Sequence, residues 1–116
     1  MSYLGIQTLP AVFVDNRTGA TITDLTFYYN GLVIEEPRLK RIRPGERKIV
    51  SIYSRNIEGE KTLYMKHKKR NNEEQSYEIF NKLTERFWGN ILIEILSIHS
   101  DGTLNIRVNT DFDYGV

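Results

Sequence analysis

The two histidines are the residues best suited to acid–base chemistry, and neither has the neighbours that a catalytic site needs. His67 lies in the run "YMKHKKRNNEEQ" (64–75), where the surrounding lysines and arginine disfavour its protonation. His99 opens the run His-Ser-Asp, which has the residue types of a hydrolase triad. Residues adjacent on a turn rarely converge on a substrate, because geometry defines a triad. We interpret this run as a polar hairpin corner in which Ser100 or Asp101 bonds its own backbone, and no catalytic site is predicted.

The carboxylates also give little indication of a catalytic or metal-binding site. Glu35-Glu36 and Glu73-Glu74 are adjacent pairs, and Asp111 and Asp113 lie one residue apart on the same side of an extended chain. That last pair is a candidate for a hard cation, although two ligands make an incomplete site. The chain has no cysteine, which excludes thiolate nucleophiles, cysteine zinc sites and blue-copper sites. With no glycine-rich phosphate loop either, the sequence predicts no cofactor and no assigned metal ligands.

Charge is strongly segregated. The net charge is only +1, yet residues 38–70 contain twelve lysines and arginines against three glutamates. One interpretation is a basic face for acidic or phosphate-bearing partners. The other is a solvated hairpin, neutralised by the acidic ends and by Glu73 and Glu74 pairing with Lys68–Arg70. The candidate partner- or anion-binding residues are Arg41, Arg43, Lys66, Lys68, Lys69 and Arg70.

The sequence leaves three candidate functions, two of them based on this charge pattern. The favoured one is a non-catalytic binding module, such as a small adaptor, inhibitor or phage-encoded accessory protein, that docks a protein partner. Self-association through the acidic segment 110–116, expected to be a flexible tail, is a variant of it. Nucleic-acid or polyanion binding is the alternative, with Tyr28, Tyr29, Tyr53, Tyr64 and Tyr77 as stacking candidates. Against it, the pI of about 8.0 is below that of most specific readers. A small hydrolase is the third.

Strands must position these residues, because the dominant pattern is alternation. Runs such as "TLNIRV" place apolar side chains on one face and polar ones on the other, which indicates half-buried strands. Turn sequences, among them Pro44-Gly45 and Asp101-Gly102, separate the runs. The predicted strands lie near 11–16, 22–30, 38–42, 47–53, 61–67, 75–80, 90–98 and 103–109.

Two segments depart from simple alternation. Residues 90–98 are apolar on both faces, which is typical of a central or covered strand. Glu94 within it either has a pKa raised by burial or faces out beside a lysine or arginine. Residues 81–89 are predicted to form a helical turn whose Leu83, Phe87 and Trp88 close one end of the core.

The pattern therefore predicts an all-β fold. We expect a two-layer antiparallel β-sandwich of seven or eight strands, with an immunoglobulin-like architecture, and a partly open β-barrel is the second choice. A chain of 116 residues suits a single domain over 1–116. The lack of cysteine, of a signal-peptide pattern and of a long apolar run predicts a cytoplasmic protein without a membrane span.

Overall fold

The structure, a computed structural model, describes residues 10–32, 34–54 and 57–112. Within these ranges the chain forms eight strands and no helix. The strands are β1 (Ala11–Asn16), β2 (Ile22–Tyr28), β3 (Arg38–Ile42), β4 (Arg47–Ser51), β5 (Lys61–Lys68), β6 (Glu74–Leu83), β7 (Asn90–Ile98) and β8 (Leu104–Asn109). All eight predicted strands are confirmed, with boundary differences of up to three residues.

The strands form two four-stranded sheets that pack face to face. Sheet I has the order β4-β1-β7-β8, and sheet II has the order β3-β2-β5-β6. Each sheet keeps two edges in the described part of the chain, so they do not close into a barrel. The predicted two-layer β-sandwich is confirmed, and the barrel alternative is wrong.

The pairing in sheet I is not wholly antiparallel. β1 lies parallel to β7, with Val12 beside Ile91 and Val14 beside Ile93. The pairing of β1 with β4 and that of β7 with β8 are antiparallel. β7 is therefore central, as its two apolar faces indicated, and it is covered on one side by sheet II.

The predicted helical turn at 81–89 is wrong. Residues 81–83 extend β6, and a single turn follows in which the Phe87 amide donates to the Thr84 carbonyl (3.1 Å). Leu83 is fully buried and Phe87 packs on the edge of the core, as expected. Trp88 is 71% exposed and does not close the core. The apolar spacing therefore predicted the positions of Leu83 and Phe87 correctly, but the chain stays extended.

The alternation of inward and outward side chains is interrupted at the same level on the paired strands β2 and β3. Asp24 has a positive φ of 57°. Ile22, two residues before it, and Leu25, directly after it, are both buried although they are three positions apart. On β3, Ile42 pairs with Ile22 and Leu39 pairs with Leu25. The two residues between them on β3, Lys40 and Arg41, consequently both face solvent.

Four turns gather at one end of the sandwich, which we call the turn end: 17–21, 43–46, 69–73 and 99–103. Asn16, 1% exposed, joins two of them. Its side-chain amide donates to the carbonyls of Ala20 (2.8 Å) and Ile42 (2.9 Å), and its oxygen accepts from Thr18. Every polar atom of this buried side chain is therefore bonded, as burial requires.

The C-terminal end of the described chain packs against its own domain. The ring of Phe112 lies edge-on to Phe13, with centroids 5.1 Å apart, and the Arg47 guanidinium lies 5.2 Å from the Phe112 centroid. Phe13 and Phe112 form a small apolar cluster with Ala11 and Leu92 on the outer face of sheet I. Within the segment 110–116, predicted to be a flexible tail, Phe112 thus packs on the domain, Asp111 is exposed, and 113–116 lie outside the described residues.

Candidate interaction surface

Strand β3 places a row of cations at an open side of the sandwich. It is the first strand of sheet II, and the turn 43–46 leads directly into β4, the first strand of sheet I. The edges of both sheets therefore lie on the same side of the molecule. We call the cations here the basic edge: Arg38, Lys40, Arg41, Arg43 and Lys48, which line a shallow groove together with Leu39 and Glu46.

Two cations of the basic edge, Lys40 and Arg41, are exposed and form no salt bridge with a described carboxylate. Arg43 is also exposed, and its charge acts on Glu46. Arg38 is only loosely paired with Asp24, at 3.4 Å, and both side chains are more than half exposed. Exposed pairs of this kind contribute little free energy. The groove therefore has an excess of positive charge that the fold does not neutralise.

Glu46 is the one acid in this groove, and it serves the turn. Its Oε1 accepts a hydrogen bond from the Arg43 backbone amide (2.8 Å), and its Oε2 lies 3.4 Å from Lys48 Nζ. The backbone hydrogen bond is the main cause of its lowered pKa, with Lys48 and Arg43 adding to it and desolvation opposing it. Because Glu46 already has these partners, it offsets little of the charge on Arg41 and Lys40.

The other predicted site residues lie on β5 and the hairpin after it. Lys66 Nζ bonds Glu36 Oε2 (2.9 Å) and lies 5.2 Å from the centre of the Tyr28 ring, with only 18% of its side chain exposed. Lys69 Nζ lies 3.3 Å from Glu73 Oε1. The expected pairing of Glu73 with this hairpin is thus confirmed at Lys69, whereas Glu36 was not foreseen as the partner of Lys66.

A second groove collects these residues, but its charge is more nearly balanced. Arg38, Lys66, Lys68 and Lys69 line it together with three acids, Asp24, Glu36 and Glu74. Arg38 is the one residue common to both grooves. The six predicted site residues therefore divide into Arg41 and Arg43 on one groove, Lys66, Lys68 and Lys69 on the other, and Arg70 at the hairpin tip.

The hairpin tip is held against the other sheet and is not simply solvated. The Arg70 amide donates to the Asp101 carbonyl (3.0 Å), which joins the 69–73 turn to the 99–103 turn. Asp101 Oδ1 accepts from both the amide and the hydroxyl of Thr103, as predicted for a polar corner. These hydrogen bonds are the main cause of its lowered pKa, and the Lys69 charge contributes.

The histidines are not arranged for catalysis in the described part of the chain. His67 is half-buried, and its buried Nδ1 has no hydrogen-bond partner there. Its pKa is lowered mainly by desolvation, while Asp24 opposes the shift. The pKa of His67 is thus lowered, as the sequence predicted, but the main cause is burial and not the neighbouring cations. His99 is exposed in its turn, and neither ring bonds a carboxylate in these ranges.

An ion-pair cluster around Glu94 lies on the outer face of sheet I, and its arginines were not identified from the sequence. Glu94 bonds Arg107 Nε (2.8 Å) and Arg17 Nη1, and its side chain is 12% exposed. Its pKa is lowered, chiefly by the Arg107 hydrogen bond and further by Arg17, against the effect of burial. Of the two expectations for Glu94, a pKa raised by burial is wrong, and an outward position beside an arginine is confirmed.

Most of the candidate stacking tyrosines are used by the fold or partly covered. The Tyr29 hydroxyl donates to the Tyr53 carbonyl (2.5 Å), and burial raises the Tyr29 pKa. The Tyr77 hydroxyl accepts from the Leu104 amide (2.8 Å) and so ties β6 to β8. Tyr28 and Tyr64 are paired neighbours on the outer face of sheet II, beside Lys66, and remain half-buried.

No metal centre emerges from the described residues, which contain no group of three or more potential ligands. Asp111 is exposed there, and Asp113, the other half of the candidate pair, lies outside them. Likewise, these residues include no helix with the length and hydropathy of a membrane span. Comparisons with family models, with curated proteins and with solved structures found no match for this chain.

Proposed function

We propose that the protein is a non-catalytic binding module that docks an acidic protein partner through the basic edge. The observation that carries the proposal is the position of Lys40, Arg41 and Arg43. They are exposed and lie together along one groove, and neither Lys40 nor Arg41 forms a salt bridge with a described carboxylate. Complementary potentials of this kind accelerate encounter and select the partner.

The composition of the groove favours a protein over single-stranded nucleic acid. Its lining contains cations, Leu39 and Glu46, and no aromatic side chain among the described residues. Proteins that hold single strands combine cations with rings on which bases stack. A groove of cations with an apolar residue is better suited to carboxylates on a polypeptide.

Nucleic-acid binding is the second candidate, and one observation favours it. Tyr28 and Tyr64 lie side by side on the outer face of sheet II, next to Lys66. Stacking there would require the bases to reach half-buried rings while Lys66 stays bonded to Glu36. Binding of this kind weakens steeply with salt, because counterions are released from the phosphates.

Charge reversal at the basic edge tests the main proposal. The triple variant Lys40→Glu/Arg41→Glu/Arg43→Glu is compared with the matched variant Lys61→Glu/Lys82→Glu/Arg86→Glu, whose cations lie outside the groove. The probes are fluorescent poly-L-glutamate, a single-stranded oligonucleotide and a DNA duplex, each titrated at about 50 mM and about 200 mM salt. We expect poly-L-glutamate to bind the wild type and the matched variant and to lose about tenfold or more in affinity with the basic-edge variant.

Two results would contradict docking through this edge. One is absence of poly-L-glutamate binding at the lower salt concentration. The other is equal loss of affinity in both triple variants, which would indicate a response to net charge alone. Tighter binding of the single strand than of poly-L-glutamate, reduced by Tyr64→Ala, would favour the nucleic-acid function instead.

Self-association through the acidic C-terminal segment stays a prediction with its own test. Because Phe112 already contacts Phe13 in the same chain, exchange of this segment between copies would have to break that contact. Deletion of residues 110–116 should shift the size-exclusion elution volume if the tail joins copies together. An unchanged volume across a range of protein concentrations would count against it.

A further inference from the structure

Building on the proposed function, we infer how the partner binds: an extended acidic segment adds to sheet II as a fifth strand alongside β3. Strand addition requires an open sheet edge, backbone groups that point away from the sheet, and side-chain contacts that select the incoming sequence. The β3 side of the sandwich supplies all three.

The edge is open in the described part of the chain. β3 is the terminal strand of sheet II, and its one strand neighbour in that sheet is β2. β4, which follows it, belongs to the other sheet and pairs with β1. No described strand therefore covers the outer side of β3.

The hydrogen-bond pattern indicates which backbone groups are available. The Phe27 amide donates to the Pro37 carbonyl (3.0 Å), so residue 37 directs its carbonyl toward β2. In an antiparallel ladder this orientation alternates from residue to residue. Leu39, opposite Leu25, repeats it, and the amide and carbonyl groups of Arg38, which lies between residues 37 and 39, point to the open edge.

The side chains define the chemistry of the incoming strand. Arg38, Lys40 and Arg41 face solvent and would lie beside its outward residues, which favours Asp or Glu at those positions. Leu39 and, on β4, Val50 are apolar residues only partly buried at the margin of the core. An inward apolar or β-branched residue on the added strand would cover this margin. The preferred segment thus alternates acidic and β-branched residues.

A second copy of this chain fits the edge poorly. Pairing of β3 with its own copy would place arginines and lysines opposite one another, which destabilises a ladder. Cations on an edge strand also oppose unspecific edge-to-edge pairing. With an acidic strand, the cations of β3 would instead lie opposite carboxylates and attract them. The same residues would therefore prevent self-pairing and select an acidic partner.

The test uses a matched pair of peptides. The probe is fluorescein-labelled acetyl-Glu-Val-Glu-Val-Glu-Val-Glu-amide, and the control is the same peptide N-methylated at its central residues. The two have the same charge and composition of side chains, but the control cannot donate backbone hydrogen bonds from those residues. We expect anisotropy titrations to show about tenfold or more weaker binding of the control, and Arg41→Glu/Arg43→Glu to weaken the probe.

Amide hydrogen exchange supplies a second readout. Saturation with the probe should slow exchange at Arg38, whose amide points to the open edge, in addition to the amides already held by β2. A peptide held by side-chain charge alone would leave the Arg38 amide exchanging as before.

The outcomes separate this inference from the proposed function. Equal binding of the two peptides, both lost on charge reversal, overturns strand addition and leaves charge-mediated docking standing. Strand addition is also overturned, and charge-mediated docking still stands, if the Glu-Val peptide does not bind while poly-L-glutamate does. If poly-L-glutamate, the Glu-Val peptide and its N-methylated control all fail to bind, both proposals are overturned.

Discussion

The backbone amide of Arg70 donates a hydrogen bond to the carbonyl oxygen of Asp101, 3.0 Å away, and so joins two hairpins that belong to different sheets. The contact is close because Gly102 follows Asp101. A Cβ atom at Gly102 would lie 2.6 Å from the Arg70 nitrogen, and the φ of Gly102 is +93°. The charged hairpin tip is therefore fixed in place by a glycine on the opposite layer.

Gly102→Ala should destabilise the fold by more than backbone strain alone would, because the added Cβ atom would also clash with Arg70. Gly45→Ala is the matched variant, because Gly45 also has a positive φ, +78°, and a Cβ atom there would have no described heavy atom within 4 Å. We expect Gly45→Ala to cost about 1 kcal/mol and Gly102→Ala about 2–4 kcal/mol. Urea unfolding followed by tryptophan fluorescence measures both. Equal losses would show that the two turns do not pack as described.

The buried amide of Asn16 should be one of the most sensitive polar positions. Asn16→Ala leaves the carbonyls of Ala20 and Ile42 without this donor and frees the Thr18 turn. We expect a loss of about 2–4 kcal/mol in the free energy of unfolding. Asn105→Ala is the control, since that exposed side chain makes one 3.3 Å bond to Ser97, and its effect should stay within about 0.5 kcal/mol. Similar effects of the two substitutions would contradict the role assigned to Asn16.

Acid should remove the stabilisation that Glu94 contributes. Its pKa is lowered from the ordinary 4.5 in the folded state, chiefly by the Arg107 hydrogen bond. A lowered carboxyl pKa gives stability that is present above pH 4.5 and is lost as the pH falls through the folded value. Urea midpoints measured from about pH 6 to about pH 3 should therefore fall less steeply for Glu94→Gln than for the wild type. Glu58→Gln, at an exposed position, should keep the wild-type slope; a Glu94→Gln slope equal to it would refute the assignment.

His67 should add a second pH dependence that begins at a higher pH than that of Glu94. Burial lowers its pKa from 6.5, so the unfolded chain takes up a proton before the folded one does. Stability is then complete above pH 6.5 and declines as the pH falls through the folded pKa. An NMR titration should place the pKa of the His67 ring below 6.5 and, in Asp24→Asn, lower still, because Asp24 opposes the shift. The groove also contains Lys66, Lys68 and Glu74. A His67 pKa at or above 6.5 would contradict this environment.

The alternation of apolar and polar residues was sufficient to predict where the strands lie, but not which strands pair with one another. Every run with a period of two became a strand, because burial of one face determines where such a run can lie. The order of strands within each sheet depends on long-range pairing, such as that of β1 with β7, which no local pattern encodes. The helical turn at 81–89 was predicted from apolar spacing alone, and an extended strand end satisfied the same contacts at Leu83.

The same limit applies to the candidate site. Arg41 and Arg43, which were predicted to bind a partner, are exposed on the basic edge, whereas Arg38 and Lys40 were not predicted, because the sequence does not show that β3 is an edge. Lys66 was included, although Glu36, thirty residues earlier, bonds it. A salt bridge between distant segments becomes visible only when the fold is known, whereas the pairing of Lys69 with Glu73 is local and could be predicted.

The parallel pairing of β1 with β7 has a consequence for synthesis. During translation, β1 emerges before β7, with Val12 and Val14 on one apolar face and Phe13 on the other. Its antiparallel partner β4 can join it once residues 47–51 have emerged, but its parallel partner β7 cannot do so before residues 90–98. Contacts so distant along the chain form slowly. Because the strands of sheet II all lie within residues 22–83, sheet I should complete its pairing after sheet II.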